Sequence, residues 1–557
     1  MKLVSTSSTK SSANRKTVST FGAADRNPSD AATTDVSERF WRIAAIAILA
    51  VGALLRVYNL NLVPLHHDEG VNGNFLVKLV RDGVYQYDPA NYHGPTLYYF
   101  SAFFPWLLKI FFGPSARETY GLTTISIRLV PALFGVATIW LILLLRKHVG
   151  SIAALSGALL LAISPGAVYL SRYFIHETLF VFFTLGIVVA MLRCFNGRNP
   201  FYLLLAAASA ALMFATKETA MISAAVLLIA VAITLIYMRL FGQTAAPAKA
   251  RKQRKTSTRM GLSDFVYEFG GPINIGLWVV LAVLVFVGLN ILFYSSFFTN
   301  YPKGVYDALR TFDFWSKTGK EAHVHPITTY LKWLIKQESP LLFLGSLGAI
   351  AAVFSRKRPV ALFCSLWAFG LTTAYSLVPY KTPWLVLNFV VPLAIAAGYA
   401  IQTIYEVDGR HLRLPAVVLF AAVCVGSYQM VDLNFVNYDN DDIYYVYVYA
   451  HTTRDTIKLV DEIDKYASRA NQGSTGITIM SPDYWPLPWY LRNYSRVGYY
   501  GRLTQSVEPI VIANETQRTE VEGTLGPSYH LVPSGSGTGA FALRPGVDLL
   551  LYVRGDL

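Results

Sequence analysis

In this chain of 557 residues, 54% are hydrophobic and only 15% are charged, and the mean hydropathy is +0.40, whereas a soluble globular chain is about 25% charged. Aqueous domain cores cannot hide so much apolar surface, so most of the chain is solvated by lipid; a cytosolic enzyme, a disordered chain and a disulfide scaffold are excluded. The net charge of +14 gathers in the first 42 residues and between Arg239 and Arg259, beside apolar segments, without a zinc-finger, RRM or helix-turn-helix pattern, so it does not indicate nucleic acid.

Residues 1–39 read as a basic, disordered cytoplasmic tail rich in Ser, Thr and Ala, and not as a signal peptide, because no apolar h-region accompanies the charge. A membrane-crossing helix needs about 20 apolar residues. Candidate runs are 40–58, 96–113, 126–145, 151–170, 178–194, 200–216, 219–238, 273–294, 340–354, 360–378, 384–404 and 414–431. Arg146 and Lys147 follow the third run, Arg193 and Arg198 the fifth, a basic linker over 239–272 the seventh, Arg356–Arg358 the ninth, and Arg410 and Arg413 the eleventh. Basic connections face the cytoplasm, as does the tail, which requires an even number of crossings before Arg146. The run 96–113 holds Lys109, is broken by Pro105 and ends at Gly113-Pro114, so it is expected to lie in the outer interface. About eleven transmembrane helices remain over 40–431, in an inner-membrane protein whose N-terminus is cytoplasmic and whose C-terminal part is extracytoplasmic.

The unusual polar groups then fall on outer connections. The loop 59–125 carries His66-His67-Asp68-Glu69-Gly70, a short amphipathic stretch from Asn74 to Arg81, and Tyr92-His93-Gly94-Pro95. Paired carboxylates beside a membrane split in pKa and leave one as a base; the plain alternative is a hydrated loop with a helix cap at Asp68. Ser171-Arg172-Tyr173-Phe174-Ile175-His176-Glu177 sits between two runs with almost no loop, where ionisable groups mark function or an Arg172–Glu177 salt bridge. Lys217 at another tight outer turn holds a phosphate or pairs with Glu218. Lys381, between Tyr380 and Thr382-Pro383-Trp384, is a cation suited to an anionic headgroup, while Tyr380 and Trp384 also fit an aromatic belt. His323 and His325 share one face of an extended segment. With His66, His67, His93 and His176, six of the ten histidines face outward. This leaves a divalent metal (magnesium, manganese or zinc) open without a diagnostic ligand spacing, and no cofactor is certain.

After Val431 the pattern changes. An acidic turn (439–442) and an aromatic run (444–449) precede an amphipathic helix over 453–468. β-like runs at 476–480, 509–513 and 548–553 alternate with helical stretches at 485–494 and 515–522, and Gly535–Gly539 reads as a flexible loop. Residues 432–557 are expected to form a small extracytoplasmic α/β domain. Its Trp485-Pro486-Leu487-Pro488-Trp489-Tyr490 segment packs a core, stacks on a sugar or rests on the membrane.

Asp68-Glu69 after the first span, Arg172 with His176-Glu177 in the second outer loop, and the hydropathy layout resemble the GT-C integral-membrane glycosyltransferases, which include protein O-mannosyltransferases and the aminoarabinose transferase of lipid A. The motifs His66-His67-Asp68-Glu69-Gly70, Tyr380-Lys381-Thr382-Pro383-Trp384 and Trp485–Tyr490 look more closely like the flippase-activity-associated membrane proteins of bacteria and archaea, over about residues 40–500. The resemblance implies an all-α GT-C-like bundle and a polyprenyl-phosphate-linked sugar donor. It casts Asp68 as general base, Glu69 and Glu177 as supporting acids, and lysine or arginine as phosphate ligands. In this chain the candidates for the phosphate are Arg172, Lys217 and Lys381; the doubled His66-His67 departs from the usual pattern. The function expected is inverting sugar transfer to a lipid, glycan or protein acceptor at the outer face, with membrane lipids as further partners. The alternative is a flippase-associated component that handles lipid-linked sugars without transfer.

Overall fold

The computed structural model describes residues 36–91, 93–197, 199–241, 270–317, 324–355, 358–440, 444–470, 472–534 and 539–557. Most of the basic tail, the linker from 242 to 269, Tyr92, His323 and residues 535–538 of the expected loop lie outside them.

The apolar runs form helices, named here in chain order. They begin with α1 (Glu38–Val57), α2 (His67–Asp82), α3 (Thr96–Phe112), α4 (Pro114–Thr119), α5 (Thr124–Leu143) and α6 (Arg146–Val149). Next come α7 (Ser151–Ala162), α8 (Pro165–Ser171), α9 (Glu177–Gly197), α10 (Phe201–Phe214), α11 (Ala220–Phe241) and α12 (Pro272–Tyr294). Then follow α13 (Lys303–Lys317), α14 (Thr329–Gln337), α15 (Ser339–Ser355), α16 (Pro359–Leu377), α17 (Leu387–Val407) and α18 (Arg413–Val431). Among the described residues, 8 helices are long and apolar enough to cross a membrane, or up to 10 when the bent pairs α7–α8 (60°) and α14–α15 (112°) each count once. The shortfall from eleven is α10, whose 14 residues span about 21 Å against a hydrocarbon core of about 30 Å. It nevertheless runs beside α9 from end to end. Arg193 donates to the Tyr202 hydroxyl (3.3 Å) at one end, and the Lys217 ammonium meets Glu177 at the other.

Such pairs sort the helix ends into two sets. One end holds Arg146 on Glu38 (2.7 Å), Arg358 on Glu406 (3.0 Å) and the Tyr237 hydroxyl on the Val353 carbonyl (2.5 Å), with the basic connections beside them. The other holds Glu177 with Lys217, the Tyr294 hydroxyl on the Phe214 carbonyl (3.0 Å) and the segments that carry the candidate residues. Without a hydrophobic drive between helices in lipid, small residues permit the closest contacts. A Cβ on Gly398 of α17 would stand 2.1 Å from the Ala153 carbonyl oxygen of α7, and one on Gly348 of α15 would stand 1.8 Å from the Ala396 carbonyl oxygen. At the α14–α15 bend, Glu338 accepts from the Ser164 hydroxyl (2.9 Å), the Gly166 N–H (2.8 Å) and the Tyr447 hydroxyl (3.3 Å), tying the bend to α8 and to the segment after α18.

Helix α3 has 17 residues. It buries Leu97, Tyr98 and Ala102 while Phe103, Leu107, Ile110 and Phe111 stay exposed at helical spacing. A helix with one apolar face outward and short of a full crossing suits the interface.

The C-terminal part opens with the amphipathic α19 (Asp455–Arg469), followed by β1 (Ile477–Ile479), α20 (Leu487–Tyr490), β2 (Val497–Tyr499), β3 (Ile510–Asn514), α21 (Arg518–Leu525), β4 (Tyr529–Leu531), β5 (Ala540–Arg544) and β6 (Val547–Arg554). The sheet order is β2-β1-β3-β6-β4, with β5 also on β6; β1 runs parallel to β2 and β3, and β6 antiparallel to β3, β4 and β5. Its core, with Leu459, Ile463, Ile479, Ile512 and Leu551, is separate from that of the bundle. Trp489 belongs to the bundle core instead. It packs on Gly73 of α2, where a Cβ would stand 2.6 Å from its Cε3 atom, and Pro486 seats on Gly70.

Candidate active site

His66 is the N-cap of α2. Its Nδ1 accepts the Asp68 backbone N–H (3.1 Å), and Glu69 accepts the His66 backbone N–H (3.0 Å), a reciprocal capping arrangement. With Nδ1 accepting, the proton sits on Nε2 and is donated to the Tyr449 carbonyl (3.0 Å). Neither nitrogen of His66 keeps a free lone pair for a metal.

Glu69 is fully buried. Its Oε1 accepts from Arg128 Nε (2.7 Å) and the Phe174 N–H (2.8 Å), and its Oε2 accepts from Arg128 Nη2 (2.5 Å). The remaining Arg128 donors go to the carbonyls of Leu60, Val63 and Pro64. This network closes the loop before α2 and the loop before α9 around the first turn of α2.

Asp68 points the other way. It is half-buried, and among the described residues the group nearest it at ion-pair range is the neutral His66 ring, with Nδ1 at 4.0 Å. Beside it, the His67 ring faces Trp485 (6.1 Å between centroids). Burial pulls the His67 pKa below its usual value; the negative Asp68 opposes this, and the Asp483 and Arg544 side chains of the C-terminal domain also act on it. Asp483 and Arg544 are themselves an ion pair.

A second group forms where α9, α11 and the segment before α3 meet. Glu177 and Lys217 are a buried ion pair. Burial would depress Lys217, but Glu177 and Glu218 outweigh it and hold its pKa above the usual lysine value. Burial would likewise raise Glu218, yet His93, whose Nδ1 lies 2.8 Å from it, keeps its pKa below the usual carboxylate range. His176 is buried with Nε2 on the Gly94 carbonyl (3.0 Å), its ring 5.2 Å from His93; burial, then the neighbouring His93 and Lys217, holds it neutral. Tyr380 feels the charges of both groups. Burial raises its pKa, Lys217 opposes this, and Asp68, Glu218 and Glu177 add to it, which places its hydroxyl in the field of all four.

Several expected partners differ. Arg172 does not bridge Glu177. Its guanidinium donates to the carbonyls of Leu55 (3.1 Å), Tyr58 (2.5 Å) and Asn59 (3.0 Å), capping the end of α1. Arginine suits that task because its planar fork meets several carbonyls at once. Lys217 meets Glu177 through its ammonium, while Glu218 takes His93. The cap of α2 is His66 rather than Asp68. Lys381 is buried and donates to the carbonyls of His325 (3.1 Å) and Val378 (2.6 Å), with no carboxylate within ion-pair distance among the described residues. His325 stays beside the Tyr380 segment, its N–H on the Pro379 carbonyl (3.1 Å) and its ring on Trp333; His323 lies outside the described residues. No three His, Cys, Asp or Glu side chains among the described residues are placed to share a metal. Both His66 nitrogens are already engaged, Nδ1 by the Asp68 N–H and Nε2 by the Tyr449 carbonyl.

Sequence reasoning passed over Arg128 and His451. An arginine in the first turn of an otherwise apolar run is itself a signal. His451, buried against His66 (5.9 Å) with Nδ1 on the Tyr173 hydroxyl (3.1 Å), carries no local signal.

Residues 101–246 match the family described as dolichyl-phosphate-mannose-protein mannosyltransferase. No curated protein matches the sequence. Among solved structures the fold is similar to ArnT from Cupriavidus metallidurans bound to undecaprenyl phosphate, at 14% identity and a TM-score of 0.60 over 92% of this chain and 98% of that one. The apo state of that protein gives 0.59 over the same spans. A weaker likeness, with a TM-score of 0.49 and 12% identity over 90% of this chain and 74% of the other, is to the oligosaccharyltransferase AglB from Archaeoglobus fulgidus. The class defined is a multi-pass membrane protein with a small C-terminal sheet domain. Beyond that, the likeness to ArnT is one of fold, and the mannosyltransferase family match covers residues 101–246 of the chain.

Proposed function

We propose that this protein moves a glycosyl group from a polyprenyl-phosphate donor to a hydroxyl of a lipid, glycan or protein acceptor, with inversion, at the outer face of the cytoplasmic membrane. One observation carries the reading. Of the two adjacent carboxylates, Glu69 is consumed by Arg128, whereas Asp68 is partly exposed and has no lysine or arginine within ion-pair distance among the described residues.

In this scheme Asp68 takes the acceptor proton as the acceptor oxygen bonds to the anomeric carbon. The carbon–oxygen bond to the carrier breaks, and the polyprenyl phosphate leaves with its electron pair. An anionic leaving group needs positive potential more than a proton. Lys217, steadied by Glu177, and Lys381, whose partners among the described residues are carbonyls, supply it. Glu69, Arg128 and Arg172 are positioning residues, because their polar atoms are committed to the protein. The ArnT structure that this fold resembles holds undecaprenyl phosphate, which supports a carrier of that kind.

The test uses the lipid-linked sugar fraction from a deletion strain as donor, with wild type and Asp68→Asn reconstituted in liposomes. Wild type should form a new glycosidic bond and the variant should not. Equal transfer by both would remove Asp68 as base, and translocation without a new bond would make the protein a transporter.

A further inference from the structure

We infer that the cleft between α3, α5 and α20 binds the headgroup of an anionic phospholipid, at a site separate from the Asp68–Lys217 groups. The cleft has a volume of about 570 Å³ and shares no residue with those groups. Its walls include Phe104, Tyr120, Trp489 and Tyr490, and its polar lining includes Asn61, Thr124 and Arg492.

Three observations point to that ligand. The first is charge. Arg81, Arg117 and Arg492 cluster around one carboxylate, Glu118, which accepts from Arg81 (2.6 Å) and lies 3.4 Å from Arg117. Arg492 has no carboxylate within ion-pair distance among the described residues. Two of its nitrogens donate to the carbonyls of Trp489 (2.6 Å) and Leu122 (2.7 Å), and its Nε is buried without a partner. Burial and the nearby Arg81 pull the Arg492 pKa down to about 10, with Glu118 and Tyr490 opposing the shift. A phosphate would supply both the missing charge and an acceptor for Nε.

The second observation is depth. Phe104 faces the cleft from α3, while Phe103, Leu107, Ile110 and Phe111 of the same helix are exposed. An amphipathic helix lies with its apolar face at the headgroup boundary, so the cleft opens where lipid headgroups are found. The third is the lining itself. Aromatic rings with hydroxyl and amide groups suit a ligand that is apolar below and polar above. A free phosphate would use only the Arg492 guanidinium.

The inference is tested on the full-length protein in detergent, supplied with equal amounts of phosphatidylglycerol and phosphatidylcholine, with retained lipid counted by native mass spectrometry. Wild type should retain phosphatidylglycerol in preference, and inorganic phosphate at millimolar concentration should not displace it. Arg492→Gln should lower retention roughly tenfold, as expected for loss of a charged hydrogen bond. Because Arg492 also holds two carbonyls, a second variant guards against misfolding. Tyr120→Glu places a negative charge on an exposed side chain of the cleft and should lower retention similarly with an unchanged melting temperature. Lys458→Gln, on the far C-terminal helix, should retain lipid as wild type does. Equal retention of the two lipids, wild-type retention by Tyr120→Glu, or displacement by inorganic phosphate alone would each overturn the inference.

Discussion

Arg128 grips both carboxylate oxygens of Glu69, at 2.7 and 2.5 Å, across 59 positions of sequence. Adjacent carboxylates therefore have opposite fates: one locks three segments together and the other stays partly exposed.

That division gives the first prediction. Glu69→Gln leaves Arg128 buried and uncompensated, and thermal unfolding in detergent should show a loss of about 3–5 kcal/mol. Asp68→Asn should shift stability by no more than about 0.5 kcal/mol while lowering transfer by about 10²–10⁴. A folded Asp68→Asn protein at full activity would contradict the proposed chemistry.

The Glu177–Lys217 pair separates structure from function in another way. Lys217→Met alone should destabilise by about 3–5 kcal/mol, since Glu177 is then buried without its cation, and adding Glu177→Gln should recover most of that loss. Transfer should stay low in the double variant, because the positive potential is gone. Recovery of activity along with stability would assign the pair a purely structural role.

His176 and His451 predict the response to acid. Burial, with His93 and Lys217 for the first and His66 and Arg128 for the second, holds both pKa values well below the usual histidine value. Below about pH 6.5 the unfolded chain then binds protons that the folded chain refuses, so stability falls as pH drops, by up to about 1.4 kcal/mol per pH unit for each histidine. Melting midpoints from pH 7.5 to 5.5 should show this slope, and His451→Phe should flatten part of it. A slope unchanged by that substitution would mean that other groups carry the effect.

The seat of Trp489 on α2 leaves no room for a methyl group at position 73. Gly73→Ala should cost about 1–3 kcal/mol through overpacking, and it should speed proteolysis between residues 431 and 455 as the C-terminal part loosens. An unchanged cleavage rate would show that the contact is not what holds the two parts together.

Much of the architecture was legible because lipid imposes simple rules. Hydropathy located α1, α5, α9 and α16 nearly to the residue, and alternate basic loops sorted the ends as the Arg146–Glu38 and Arg358–Glu406 pairs do. Partner choice was not legible. Local spacing suggested Arg172 with Glu177 and Lys217 with Glu218, but tertiary packing gave Arg172 to the end of α1 and Glu177 to Lys217, 40 residues away. Strands β2, β4 and β5 also escaped notice. β2 and β4 have 3 residues each, and all three strands have partly exposed positions, too little for alternation to register.

The Tyr490 hydroxyl accepts the Leu65 N–H (2.9 Å), and Pro486 lies on Gly70, so residues of the sheet domain bracket His66–Glu69 on both sides. Exchanging residues 432–557 between relatives would consequently not be a modular graft. The recipient bundle would receive a foreign mould for its own acidic turn, and a hybrid could insert and fold yet aim Asp68 in the wrong direction.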